Sequence, residues 1–137
     1  NALAGADKAI VITTPEVSAV RDADRVIGLL ESKELHDPKL LINRLRVDMV
    51  KRGEMLSIED VRDVLAVDLI GIVPDDERIV VSTNKGEPIV TDEKSLAGKA
   101  YRNIAQRLDG EEVPFLKLEE DEGFMFRIRK LLGLKTT

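Results

Sequence analysis

Three short apolar runs alternate with stretches in which apolar residues recur at helical spacing. The runs cover residues 8–14, 39–44 and 68–73, and their continuous hydrophobicity predicts strands buried on both faces of a parallel sheet. Between them, residues 15–35 and 57–65 place apolar side chains at a period near 3.6, which predicts two helices. Ser57 is suited to cap the second of these helices, with Asp60 at its third position. The alternation of strands and helices predicts an α/β fold with a mainly parallel sheet and helices on both faces.

Local rules are less decisive after the third run. Residues 77–84 are rich in strand-forming residues but follow a Pro-Asp-Asp sequence suited to a helix start, so a strand and a short helix both stay open. Residues 89–91 predict a short extended piece, and residues 95–108 predict a helix capped by Ser95. Three strands with their helices amount to half of a doubly wound sheet. We therefore expect an apolar edge and face that further protein would cover.

The last fifteen residues, 123–137, have the pattern of a basic amphipathic helix. Their apolar side chains fall within an arc of roughly 120°, apart from Phe126, and the cations point elsewhere. Residues 109–122 carry seven acids and one lysine and are typical of a tether. We expect three parts: a domain over residues 1–108, an acidic linker over 109–122 and a helix over 123–137. This helix suits the headgroup region of an anionic membrane or a partner, and docking on its own domain is the alternative.

Composition narrows the classes of function. The formal charge of −5 argues against nucleic-acid binding over the whole surface. The absence of cysteine excludes disulfides, thiolate metal sites and iron–sulfur ligation within this sequence, which fits a cytoplasmic protein. No apolar run approaches the roughly 20 residues that cross a bilayer, so we expect peripheral membrane contact. The sequence begins without a methionine and reads as part of a longer protein.

Two groups of polar residues are candidates for function. Asn43 and Arg44 end the second predicted strand, where open α/β sheets bind ligands. An amide matches the edge of a purine and a guanidinium can stack on a ring or bind phosphate, although a capping Asn and a surface Arg remain the plain alternative. The charges of the first predicted helix cluster on its outer side, which is also typical of a solvated face.

Five segments of the sequence are distinctive: residues 13–25 (TTPEVSAVRDADR), 41–45 (LINRL), 71–76 (GIVPDD), 82–88 (STNKGEP) and 123–127 (GFMFR). Together they resemble the MinD family of septum site-determining ATPases, especially its cyanobacterial and plastid form. Their order and spacing extend over almost the whole chain. The resemblance implies the C-terminal half of a deviant P-loop ATPase domain.

The resemblance also implies roles for individual residues. The adenine of ATP would contact Asn43, Arg44, Pro74 and Asp75. The surface for the ATP-dependent homodimer, the division inhibitor and the topological regulator would comprise Glu16, Ser18, Arg21, Asp22 and Asp24. The helix that holds such proteins on the inner membrane would comprise Phe124, Met125, Phe126, Arg127, Ile128, Arg129, Lys130, Leu131 and Leu132.

One departure from the family pattern limits the activity expected of this chain. The sequence contains no glycine-rich Lys-Thr phosphate loop, so nothing in it cradles phosphates or holds the Mg²⁺ expected in a complete protein. We therefore expect no ATP hydrolysis by this chain alone. A non-catalytic membrane adaptor is the alternative, and a chromosome-partition relative is a weaker one, because such proteins bind DNA through basic surfaces.

Overall fold

A computed structural model describes residues 3–118. The strands are β1 (Ile10–Thr13), β2 (Lys39–Leu45) and β3 (Asp68–Pro74). The helices are α1 (Val17–Ser32), α2 (Val47–Lys51), α3 (Ile58–Leu65), α4 (Arg78–Lys85) and α5 (Leu96–Leu108), and a 3₁₀ turn covers Ile89–Thr91. The α/β prediction is confirmed. The predicted helix over residues 123–137 lies outside the described residues.

The sheet is parallel and has the order β1-β2-β3 within the described residues. Helices cover both of its faces. On one face α1 and α3 pack against β1 and β2, with Val11, Leu40 and Ile42 at the centre. On the other face α5 packs Ala97, Ala100 and Ile104 against β2 and β3. This arrangement confirms the prediction of a partial doubly wound sheet.

The three strands are not equally buried. β3 is buried from Ile70 to Pro74, as its continuous apolar run predicts. β1 alternates, with Val11 inside while Ile10 and Ile12 are 41% and 62% exposed. The prediction that this strand is buried on both faces is wrong for the described structure, because α5 reaches β2 and β3 and no described element covers that face of β1. The exposed face agrees with the apolar edge expected from the sequence.

Two local assignments are settled by packing and capping. Residues 77–84 form most of α4, which begins with Asp76 accepting a hydrogen bond from the backbone N–H of Arg78 at 2.9 Å. The helix alternative is therefore confirmed. Residues 89–91 form a 3₁₀ turn rather than an extended piece, since the N–H of Thr91 bonds back to the carbonyl of Pro88.

The caps predicted for two helices are present. Ser57 and Asp60 form a reciprocal capping box at the start of α3. Ser95 caps α5 by accepting from the backbone N–H of Gly98 at 2.9 Å. Each cap satisfies donors that the first turn of a helix leaves without partners. The start of α5 is thereby fixed beside the end of β3.

Candidate functional site

The carboxyl ends of the three strands lie at the same edge of the sheet. In parallel sheets the loops at this edge bring polar residues together. Here Leu45 of β2 lies opposite Pro74 of β3, and the backbone N–H of Asp75 donates to the carbonyl of Leu45 at 2.9 Å. The last residues of β2 therefore lie beside the last residue of β3 and the residue that follows it.

The end of β2 has an irregular backbone. Arg44 has a φ of +58°, and the pairing with β3 shifts between Ile42 and Leu45. The left-handed region costs a residue other than glycine about 1 to 2 kcal/mol. The N–H of Arg44 donates to Oδ1 of Asn43 at 3.0 Å, which holds the bend. Among the described residues Glu34, Asp37 and Ala66 also have positive φ, but Arg44 is the one of these four that lies in a strand. Residues kept in such a conformation are concentrated at ligand sites, which makes the end of β2 a candidate site.

The predicted site residues meet across this edge. Nε of Arg44 lies 3.7 Å from Oδ1 of Asp75, and the two side chains are 69% and 41% exposed. Such an exposed pair contributes less than about 1 kcal/mol and is easily displaced. Asn43 is half-buried beside it, whereas Pro74 is buried. The structure thus brings Asn43, Arg44 and Asp75 together at the surface and leaves the Pro74 ring little area for a ligand.

Asp76 was not among the predicted site residues, yet it holds the turn after β3 in place. Its Oδ2 accepts from Oγ of Ser95 at 2.6 Å and from the N–H of Ala97 at 3.3 Å. Burial acts to raise the pKa of Asp76, but the hydrogen bonds from Ser95, Arg78 and Ala97 outweigh it and lower the pKa. Asp76 therefore stays ionised and ties the turn to the start of α5. Ser95 lies nineteen residues away, so no local sequence pattern indicates the pair.

A chain of exposed ion pairs lies just beyond β2. Asp48 contacts Arg46 at 3.0 Å and Arg52 at 3.2 Å, and Arg52 contacts Glu54 at 2.8 Å. Hydrogen bonds from Arg46 and Arg52 lower the pKa of Asp48, and one from Arg52 lowers that of Glu54. These side chains are 45% to 52% exposed, so the ion pairs shape the charge of the loop more than they stabilise it.

The predicted partner surface lies on α1. Glu16, Ser18, Arg21, Asp22 and Asp24 are all exposed, while Val20, Ala23, Ile27 and Leu30 face the core. The charged surface also carries exposed apolar residues, since Val17, Val26 and Leu29 are 54%, 45% and 51% exposed. Single exposed apolar side chains are common on protein surfaces, so they are compatible with an interface on α1 and also with a solvated face.

The predicted membrane-binding residues, from Phe124 to Leu132, lie outside the residues that the structure describes. Within residues 3–118 no helix is long and apolar enough to cross a membrane. The same residues contain no group of three or more His, Asp or Glu side chains that would hold a metal ion.

The fold and this edge define a class, the doubly wound parallel α/β domains whose ligands bind where the strands end. No family model matches the chain. It is 55% identical over 136 residues to the septum site-determining protein MinD of Synechocystis, covering 97% of this chain and 51% of that protein. By sequence and fold the chain therefore belongs to the MinD family, as its motifs predict, and it spans about half the length of the curated relatives it matches.

Solved structures agree with this assignment. MinD in the MinC:MinD cell division protein complex of Aquifex aeolicus has a TM-score of 0.82 and 51% identity, covering 85% of this chain and 48% of that one. The septum site-determining protein MinD complexed with Mg-ADP from Pyrococcus horikoshii has a TM-score of 0.67 and 26% identity, covering 79% and 43%. The parallel sheet and its helices are thus shared across distant members.

Proposed function

We propose that this chain supplies the base-binding edge, the partner surface and the membrane tail of a MinD-type ATPase that positions the division septum. The observation that carries the proposal is the meeting of Asn43, Arg44 and Asp75 at the carboxyl edge, on a backbone bent into the left-handed region. A relative of the same family is complexed with Mg-ADP, which supports a nucleotide as the ligand.

The side chains at the edge suit the base of ATP. Oδ1 of Asn43 accepts the N–H of Arg44, so the Nδ2 donor is free for a ring nitrogen of adenine. Arg44 is exposed enough to lie over a ring face or to contact the sugar and phosphates. Asp75 offers an acceptor for the exocyclic amine. These residues bind and orient the base, and the phosphates and Mg²⁺ would be held by protein that this sequence does not contain.

We also propose that α1 is the docking surface for the division inhibitor and the topological regulator, and the dimerisation surface in the ATP state. A solved MinC:MinD complex of a related protein supports an inhibitor of the MinC type. The surface contains acids, an arginine and exposed apolar side chains on one helix. In an interface the apolar side chains of such a surface can be buried, and the charged ones can fix the relative position of the two partners. Glu16 lies just past the end of β1, so this surface begins at the same edge as the base site.

The base site is tested in a protein completed by an upstream half that carries a phosphate loop. Asn43→Ala should weaken ATP binding about tenfold or more, since one hydrogen bond and the bend at Arg44 are lost together. Asn84→Ala, which removes an exposed asparagine of α4 away from the strand ends, is the matched control and should leave ATP affinity unchanged. Equal ATP affinity in the Asn43 variant and the parent would remove Asn43 from the site.

The tail is tested on the 137-residue chain itself. Phe124→Glu or Ile128→Glu should abolish sedimentation with anionic vesicles, because each puts a charge among apolar groups. Thr137→Glu is the control with the same added charge. Unchanged sedimentation of both apolar-face variants would show that the tail does not bind lipid in this way.

A non-catalytic membrane adaptor, which would use the same exposed surface of α1 and the same tail, is the second candidate. The completed protein separates the two. Lipid-stimulated ATP hydrolysis supports the ATPase, whereas vesicle and partner binding without any hydrolysis supports the adaptor.

A further inference from the structure

Arg107, near the end of α5, makes an unusual set of contacts. Its guanidinium donates to three backbone carbonyls: Nη1 to Ile70 at 2.9 Å, Nε to Val113 at 3.0 Å and Nη2 to Pro114 at 2.9 Å. Among the described residues no carboxylate pairs with it. An arginine whose planar guanidinium donates to main-chain carbonyl oxygens holds together the chain segments to which those oxygens belong.

The segment after α5 is held by side-chain packing as well. The Phe115 ring centre lies 4.1 Å from the Arg107 guanidinium carbon, close enough for a cation–π contact. Leu116 is half-buried and packs on the cluster formed by β2, β3 and α5. The chain turns back at Gly110, where φ is +91°, and its N–H bonds to the carbonyl of Arg107. Residues 113–116 therefore lie along the domain.

One of the three carbonyls belongs to β3, which is at the edge of the sheet within the described residues. The pairing of β3 with β2 shifts near Ile70. A sheet edge with free polar groups invites pairing with other chains unless something covers it. Arg107 supplies a donor to that edge and brings residues 113–116 beside it. Burial lowers the pKa of Arg107, yet a guanidinium remains charged at neutral pH.

We infer that Arg107, Phe115 and Leu116 form a latch that fastens the first part of the acidic linker to the domain and so sets the point from which the C-terminal tail departs. The consequence for membrane binding rests on the proposed function, whereas the latch itself does not. Along the sequence, fourteen residues, 109–122, separate α5 from the predicted tail, whereas six, 117–122, separate the latch from it.

A shorter tether matters if two tails act together. Effective concentration falls with about the −3/2 power of tether length once the tether can span its sites. Opening the latch would therefore lower the effective concentration of the second tail in a dimer by about three- to fourfold. The latch, whose residues belong to the folded part of the chain, thereby sets the length of the tether to the membrane tail.

The test measures latch opening directly on the full chain with a lysine-specific protease. Cleavage after Lys117 requires residues 113–118 to leave the domain and extend, so its rate reports the open fraction. We expect Arg107→Ala to raise this rate about tenfold or more, since three charged hydrogen bonds are lost. Phe115→Ala should raise it about two- to fivefold.

Control measurements distinguish opening of the latch from destabilisation of the whole fold. Arg102→Ala removes another arginine of α5, whose Nη1 donates to the Val90 carbonyl, and should leave cleavage after Lys117 unchanged. Cleavage after Lys33, in the turn after α1, should be the same in all variants. If Arg107→Ala unfolds the chain, judged by circular dichroism, the exposed Phe115 variant decides. Parental cleavage rates in the folded variants would overturn the latch.

Vesicle sedimentation of the parent chain, with phosphatidylglycerol present or absent, tests the tail separately. Failure to bind vesicles together with faster cleavage of the Arg107 variant would overturn the proposed anchor and keep the latch. Vesicle binding together with unchanged cleavage would overturn the latch and keep the anchor.

Discussion

Two arginines in this molecule have opposite relations to their surroundings. Arg44 sits on a bent backbone at the carboxyl edge, and its only described ion pair is a long, exposed one with Asp75. Arg107 has three main-chain acceptors and an aromatic ring around it. The first guanidinium keeps its donors available to a ligand at a cost in backbone strain, and the second uses them to hold the fold. The comparison distinguishes an arginine that we propose binds a ligand from one that holds the fold.

The largest expected effect is on the structural arginine. Arg107→Ala should lower the free energy of unfolding by about 2 kcal/mol, since it removes the hydrogen bonds to Ile70, Val113 and Pro114 and the contact with Phe115. Urea denaturation followed by circular dichroism measures it. Arg44→Ala serves as the matched control and should change the same quantity by less than about 0.5 kcal/mol. Equal losses in the two variants would contradict the distinction.

Asp76 tests whether the carboxyl edge also has a rigid part. Asp76→Ala should cost about 1 to 2 kcal/mol, because Ser95 and the N–H groups of Arg78 and Ala97 lose their acceptor. The folded-state pKa is lowered, so this contribution is present above the unfolded value near 3.9 and is lost as the pH falls through the folded value. The stability gap between parent and variant should therefore shrink below about pH 4. A gap that is independent of pH would show that the carboxylate charge is not involved.

Replacing Arg44 with glycine tests whether the backbone bend at this position is strained. Arg44→Gly should raise the free energy of unfolding by about 0.5 kcal/mol, because glycine adopts a φ of +58° without strain and this gain exceeds the entropy it adds to the unfolded chain. Chemical denaturation beside Arg44→Ala measures the difference. In the completed protein the same change should weaken ATP binding. A less stable glycine variant would mean that the bend is not strained.

The smallest expected effect is on the pair across the site. A double-mutant cycle on Arg44 and Asp75 should give a coupling of no more than about 0.5 kcal/mol, since both groups are exposed and 3.7 Å apart. Added salt should reduce it further. Coupling above about 1 kcal/mol would show that the pair braces the edge and is not easily opened by a ligand.

Much of the fold follows from local patterns. The apolar runs predict all three strands because buried parallel strands have nearly continuous hydrophobicity. Ser57 and Ser95 predict the starts of α3 and α5 because a hydroxyl can accept from the first turn. Residues 77–84 stayed open because strand propensity and the Pro-Asp-Asp cap conflict, and the cap prevails where Asp76 bonds both α4 and the start of α5.

The candidate site was predicted only in part. Asn43 and Arg44 follow from their place after a strand, and Asp75 follows from family resemblance. Asp76 and Arg107 could not be found in this way, since their partners lie nineteen and thirty-seven residues away in the chain. Contacts at that separation depend on how helices pack on the sheet, which the spacing of apolar residues does not specify.

The sequence by itself determined the order of strands and helices, the polar residues at strand ends and the family, because these depend on neighbours along the chain. Only the tertiary structure decided which apolar strand is covered, which arginine is satisfied and where the linker is held. The exposed side of β1 and the enclosed guanidinium of Arg107 show the reason. Burial and hydrogen bonding depend on what lies across the sheet, and similar local patterns meet different neighbours there.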